Sequence, residues 1–150
     1  LQDNATPSGN AMAAITLLKL AGFTNEIGYV DVAHQALAQV QSMMAQYPLG
    51  FGQWLQALAY ALSKPREIAI VGDPDSTDTQ ALLSVVRDGF RPFQVVALGA
   101  PRAHSPVVPL LQDRGSVKEQ AAAYVCRGFA CLAPVTAPEE LQAQIEPQKA

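Results

Sequence analysis

The apolar residues of the first 63 positions recur at helical spacing and predict three helices. Met12, Ile15 and Leu18, joined by Leu17 or Leu20, mark the first. Thr6-Pro7 reads as its N-cap followed by a first-turn proline, and Gly22 as its stop. The second helix is expected from about Asn25 to Gln46, along the stripe Val30, Ala33, Leu37, Val40 and Met44, and Pro48 and Gly50 end it. The third runs from about Gly52 to Ser63, with Trp54, Leu55, Leu58 and Leu62 on one side and Gln, Ala and Tyr on the other. A helix that is apolar almost all round is normally buried on more than one face. The short connections imply antiparallel hairpins.

From Glu67 the period changes. Ile68-Ala69-Ile70-Val71-Gly72 is a β-type run closed by glycine, Asp73 to Thr79 is a polar turn, and a helix follows from Gln80 to about Gly89. Phe93 to Leu98 is a second strand, so the order β-α-β predicts a parallel pair with a right-handed crossover. Residues 99–120, with Pro101, Pro106, Pro109 and Gly115, read as a long loop with one turn near Val108–Gln112. Ala122–Cys126 and Phe129–Leu132 read as a hairpin turning at Arg127-Gly128, where glycine supplies the positive φ. Thr136-Ala137-Pro138-Glu139 is a capping-box pattern that starts a last helix through Leu141 and Ile145. The expected class is α/β, with α+β as the alternative. A helical segment, 1–65, precedes a small β-α-β-β-β-α unit, 66–150, on a mixed sheet, and Pro65 marks the boundary.

Composition sharpens that boundary. The chain of 150 residues is 49% hydrophobic and 15% charged, with a net charge of −3. Among residues 1–63 only Asp3, Lys19, Glu26 and Asp31 are charged; the other nineteen charges follow. Soluble domains carry roughly 25% charged residues, so the helical segment is starved of charge and expected to lie against a neighbour. Leu1 is not an initiator methionine and no signal-peptide pattern opens the chain, which fits a piece of a longer, cytoplasmic protein. The apolar content excludes disorder. The negative charge argues against nucleic acid as a partner, and no stretch approaches the ~20 apolar residues of a membrane span.

Candidate chemistry is sparse. Cys126 and Cys131, with Arg127 next to the first, can face one another across a hairpin. They read as two small core residues, as a disulfide or redox pair, or as half a metal site. Neither His34 nor His104 completes a zinc set, so no metal or other cofactor is expected. His34 sits beside the apolar stripe as a structural histidine. The loop Gly72–Thr77 occupies the place where α/β proteins bind anions, but Asp73, Asp75 and Asp78 would repel phosphate, and helix capping is the simpler reading. Arg102, Arg114, Lys118 and Arg127 form at most a modest basic patch without interleaved aromatics. Asp3, Pro7, Ser8, Gly9 and Asn10 belong to the densest polar run of the helical segment, suited both to starting a helix and to lining a ligand cleft. No complete catalytic set is present, so an autonomous enzyme is not expected.

Three runs, in this order and separation, carry a resemblance. Asp3-x3-Pro7-Ser8-Gly9-Asn10 (with Asn4, Ala5 and Thr6 between), Ile68-Ala69-Ile70-Val71-Gly72, and Ala123-Tyr124-Val125-Cys126-x4-Cys131-x2-Pro134-Val135-Thr136 resemble the C-terminal region of the YyaL-like thioredoxin-domain-containing family, to which spermatogenesis-associated relatives belong. The resemblance implies a thioredoxin-like domain followed by an α/α toroid similar to six-hairpin glycosidases and sugar epimerases. Residues 1 to 63 would then be the toroid's last helices. The implied partner is the rest of the full-length chain, with self-association through the bared helices as a further possibility. The family match assigns no catalytic role to any of these residues. The order β-α-β, β-β-α is also that of a thioredoxin-like fold, but Gly72–Thr77 holds no cysteine where a redox C-x-x-C would stand.

Overall fold

The computed structural model describes residues 1–101 and 108–146; Arg102, His104, Ser105 and Pro106 of the expected loop lie outside them. The chain divides into two compact units, residues 1–64 and 65–150.

The first unit holds α1 (Gly9–Thr24), α2 (Ile27–Gln46) and α3 (Gly52–Leu62), with one 3-10 turn at Pro48–Gly50. The cap of α1 is Ser8 rather than Thr6: its Oγ accepts the Ala11 amide at 3.3 Å. The shift has a cause, because the Ser8 amide donates to Asp3 Oδ1 at 2.7 Å and holds Ser8 extended, leaving Pro7 outside the helix. Nor does Gly22 stop α1. Asn25 takes the left-handed conformation at φ 59° and bonds back to the Ala21 carbonyl, doing the work glycine was expected to do.

The buried face of α1 is Ala11, Ala14 and Leu18, while Met12 is 44% exposed. Small residues win that face because α1 packs against both α2 and α3, and an alanine lets two helices approach where a methionine does not. On α2 the expected stripe holds: Ala33, Leu37, Val40 and Met44 are buried. On α3 the buried residues are Trp54, Ala57 and Tyr60, whereas Leu62 is 78% exposed and Leu55 also turns outward. His34, expected as a structural histidine, is exposed.

The second unit has β1 (Arg66–Val71), α4 (Thr77–Arg87), β2 (Gln94–Gly99), β3 (Ala122–Arg127), β4 (Ala130–Cys131) and α5 (Pro138–Ile145). The sheet order is β2-β1-β3-β4; β1 pairs parallel with β2, and β3 runs antiparallel to both β1 and β4. This is the mixed α/β sheet the sequence predicts. Central β1 is buried on both faces. Ile68, Ile70, Ala123 and Val125 meet Leu82, Leu83 and Val86 of α4 and Leu141 and Ile145 of α5. A 3-10 turn at Pro109–Leu111 packs against β1 and β2 and buries Leu110 and Leu111.

Two local expectations change. Arg127 pairs with Ala130, so the hairpin turns at Gly128-Phe129, one residue later than expected, with φ of 57° and 62°. Both central residues of such a tight turn need positive φ, and Phe129 supplies the second despite its Cβ. The capping box of α5 does not form. Val135 exchanges two backbone hydrogen bonds with Ala123, which keeps the approach to the helix extended and puts Ala137 at the cap.

Gly72 shows how tightly β1 feeds α4: a Cβ there would lie 2.1 Å from Thr79 Oγ1 and 2.7 Å from the Ala121 Cβ. Thr79 is fully buried, so neither neighbour has room to yield. Gly72→Ala is expected to destabilise the second unit by roughly 1–3 kcal/mol in urea denaturation, the usual size of an overpacking defect. An unchanged transition would contradict the close packing of α4 on the sheet.

Candidate functional site

The candidate residues named from the sequence fall in two places, one in each unit. In the first, Asp3 Oδ1 accepts the Ser8 amide and Oδ2 accepts the Gln53 amide at 2.8 Å, at the N-terminus of α3. The Asp3 amide donates to the Gly50 carbonyl, and Trp54 Nε1 donates to the Leu1 carbonyl at 2.8 Å. The opening segment is thus strapped across the start of α3, where a carboxylate meets the positive end of the helix. Burial pushes the Asp3 carboxyl up, but the amides of Ser8, Gln53 and Trp54 outweigh it and hold its pKa below the usual 3.8. Of the five candidate cleft residues, Asp3 and Ser8 have their polar atoms engaged in these bonds. Pro7 and Gly9 are exposed, and Asn10 lines a depression of about 200 Å³ with Leu1, Leu17, Val32 and Gln39.

The second site is the β3–β4 hairpin. Cys126 and Cys131 are register partners with Cα atoms 3.9 Å apart, and they form a disulfide. Of the alternatives left by the sequence, the structure shows the bridged pair. Only Cys126 fits the core reading, at 1% exposure, and Cys131 is exposed. The hairpin is held by Glu67, which lies opposite Cys126 on β1 and is 6% exposed. Its two carboxylate oxygens accept the Gly128 amide at 3.1 Å and the Phe129 amide at 2.7 Å. A buried carboxylate needs such donors, and the two left-handed turn residues aim their amides at it.

The cation at the sulfurs is Arg114, not the adjacent Arg127, which is exposed. One guanidinium nitrogen lies 2.9 Å from Cys131 Sγ and 3.4 Å from Cys126 Sγ, and the other donates to the Leu110 carbonyl. The guanidinium also stands 5.7 Å from the centre of the Tyr124 ring. The Tyr124 hydroxyl in turn donates to the Gly115 carbonyl and accepts the Gly115 amide, fixing the loop that carries Arg114. Burial lowers the Arg114 pKa from its usual value, while Tyr124, Glu67 and Asp113 act in the opposite direction. Beside the pair, Val125, Cys126, Arg127, Leu132 and Gln144 line a groove of about 570 Å³ between the hairpin and α5.

Sequence reasoning missed Glu67, Arg114 and Tyr124 as parts of this site. A lone carboxylate opening the apolar run Ile68–Val71 was the available signal for Glu67. For Arg114 there was none, since its contacts reach 12 and 17 residues along the chain. The helix capping expected of the Gly72–Thr77 loop is not made by a side chain: Ser76 stands at the N-cap of α4 without bonding a helix amide through its hydroxyl, which is engaged with the Asp73 carbonyl and the Thr79 hydroxyl instead. Asp73 Oδ1 accepts the Asp75 amide, and Asp78 accepts the Ala121 and Thr79 amides, Ala121 above all holding its pKa below 3.8. Among the described residues, no three His, Cys, Asp or Glu side chains converge on a metal position.

These features define a three-helix unit followed by a small mixed-sheet α/β unit. The chain is similar to spermatogenesis-associated protein 20 of Homo sapiens, with 34% identity over 149 residues, 97% of this chain and 19% of the relative. It is likewise similar to the Rattus norvegicus protein of that name, at 33% over 94% of this chain and 18% of the relative, and to the Mus musculus one, at 32% over the same shares. The chain therefore corresponds to a C-terminal region of the spermatogenesis-associated protein 20 family, as the resemblance anticipated. It spans about a fifth of the length of the curated relatives it matches. No protein-family model matches it, and no solved structure does.

Because the folded pKa of Asp3 is depressed, its contribution to stability is present above the unfolded value near 4 and is lost as the pH falls through the folded one. Asp3→Asn is expected to lower the stability of the first unit by about 1 kcal/mol at pH 7, a typical helix-cap effect. The gap from the parent should close on acidification below about pH 4. Fluorescence of Trp54, the single tryptophan, reads the transition. A gap that persists at pH 2.5 would contradict the capping role.

Proposed function

We propose that the chain is a non-catalytic packing and interaction segment of a longer protein. One observation carries this: the charge-starved first unit turns Ile27, Val32, Leu49 and Leu62 outward, with Leu49 101% and Leu62 78% exposed. Relatives about five times as long supply the natural occupant, the rest of the same polypeptide. In this reading the first unit is the end of an α/α toroid. The Asn10 depression, lined also by Leu1, Leu17, Val32 and Gln39, adds to a sugar-like small-molecule cleft in the whole protein. The order and directions of the four strands support a thioredoxin-like sheet for the second unit, without cysteines in Gly72–Thr77.

A second reading is favoured by the disulfide itself. In the cytoplasm, the location proposed for this chain, disulfides are mostly transient, catalytic or redox-sensing. The Cys126–Cys131 pair would then make the second unit a thiol-redox module.

The isolated chain is expected to self-associate at high concentration and to bind a hydrophobic dye. Leu49→Lys with Leu62→Lys should leave it monomeric, with stability changed by no more than about 0.5 kcal/mol. Adding the remainder of the longer polypeptide should displace self-association in the parent and not engage the variant. A parent chain that is monomeric and dye-silent by light scattering and fluorescence would overturn the packing reading. Glycosidase or epimerase turnover at the level of dedicated enzymes would overturn the non-catalytic one.

A further inference from the structure

The disulfide is not symmetric. Cys126 Sγ belongs to a residue 1% exposed, whereas Cys131 sits on the outer strand and is exposed. One guanidinium nitrogen of Arg114 lies within hydrogen-bonding reach of both sulfurs, and the same side chain is anchored on the Leu110 carbonyl and against the Tyr124 ring. A neutral disulfide gains little from a cation held in that position. A thiolate gains a great deal, because a charge-assisted bond to sulfur stabilises the anion and lowers the thiol pKa.

We propose that the Cys126–Cys131 bridge is a dithiol-exchangeable centre in which Cys131 is the attacked sulfur and Arg114 is the positioning residue for the departing Cys126 thiolate. The inference rests on the thiol-redox reading above and adds to it a polarity, a reductant class and a further residue. The reductant is an external dithiol. Its first thiolate attacks Cys131 Sγ; a sulfur–sulfur bond forms to Cys131, the bond to Cys126 breaks, and the electron pair leaves on Cys126 Sγ beside Arg114. The second thiol of the reductant, deprotonated, attacks its own sulfur in the mixed disulfide and closes the reductant's disulfide. Cys131 leaves as a thiolate, also beside Arg114. Two electrons pass to the hairpin, and the two protons of the dithiol pass to solvent or to the new thiolates. The groove beside the pair, lined by Val125, Cys126, Arg127, Leu132 and Gln144, offers the reductant a mixed polar and apolar seat at the hairpin.

The test uses the 150-residue chain. Reduction by dithiothreitol is followed by alkylation and mass spectrometry in the parent, Arg114→Gln and Arg114→Lys. The pH profile of alkylation is then measured on the reduced proteins. Arg114→Gln should slow reduction about threefold for each pKa unit by which the leaving thiol rises, because rate follows thiol pKa with a fractional slope, with Arg114→Lys restoring part of the rate. In the reduced parent, the Cys131 alkylation midpoint should lie below the ordinary thiol value near 8.5. Equal rates in all three proteins, with an ordinary midpoint in the parent, would overturn the role of Arg114 and leave the redox reading standing. A bridge that resists dithiothreitol in the folded parent and opens only on denaturation would overturn the redox reading itself. The parent's own pH profile decides the matter should Arg114→Gln fail to fold.

Discussion

A carboxylate buried in a sheet is costly, and Glu67 occupies such a place on the central strand. Taking the ion out of water opposes folding by several kcal/mol unless donors replace its hydration. Here the replacement comes from the amides of Gly128 and Phe129, which converge only because both turn residues adopt left-handed backbone. The turn needs the carboxylate as much as the reverse. Phe129 at φ 62° gives up roughly 1–2 kcal/mol relative to an ordinary backbone conformation, and charge-assisted hydrogen bonds of about 1.5–3 kcal/mol each offset it. With the turn fixed, Cys126 and Cys131 fall opposite one another. The loop from Leu110 to Gly115, pinned by the Tyr124 hydroxyl, then brings Arg114 to the sulfurs.

The first unit depends on a similar device with a different outcome. Asp3 joins the starts of two helices by accepting the Ser8 and Gln53 amides, so a polar run that resembles a ligand rim is in large part a structural strap. What remains free for recognition is Asn10 and the apolar wall of the depression beside it. The sparse charges of residues 1–63, four in all, and the outward leucines of this unit are the features on which the proposed packing role rests.

Much of the architecture was legible because it follows from periodicity. The α2 stripe, the parallel β1–β2 pair and the hairpin of β3 and β4 all rest on apolar spacing that tertiary contacts reinforce. Helix ends were less legible, since Ser8 and Asn25 take their roles from Asp3 and from a left-handed backbone rather than from the nearest proline or glycine. The buried face of α1 misled for a related reason: the close approach of α2 and α3 selects Ala11 and Ala14 over larger neighbours. In the cysteine site, spacing exposed the pair but not its supports. Glu67 stands 61 and 62 residues from the amides it binds, and no local pattern encodes such contacts.

The dependence of the cysteine pair on Glu67 is most directly tested by the equilibrium between dithiol and disulfide in a redox buffer, measured for the parent and Glu67→Gln. If the buried carboxylate holds the turn that aligns the sulfurs, the variant should lose at least about tenfold in the effective concentration of one thiol for the other, as expected for losing one or two charge-assisted hydrogen bonds. An unchanged equilibrium in a folded variant would contradict the account, because the hairpin would then align Cys126 and Cys131 without the carboxylate.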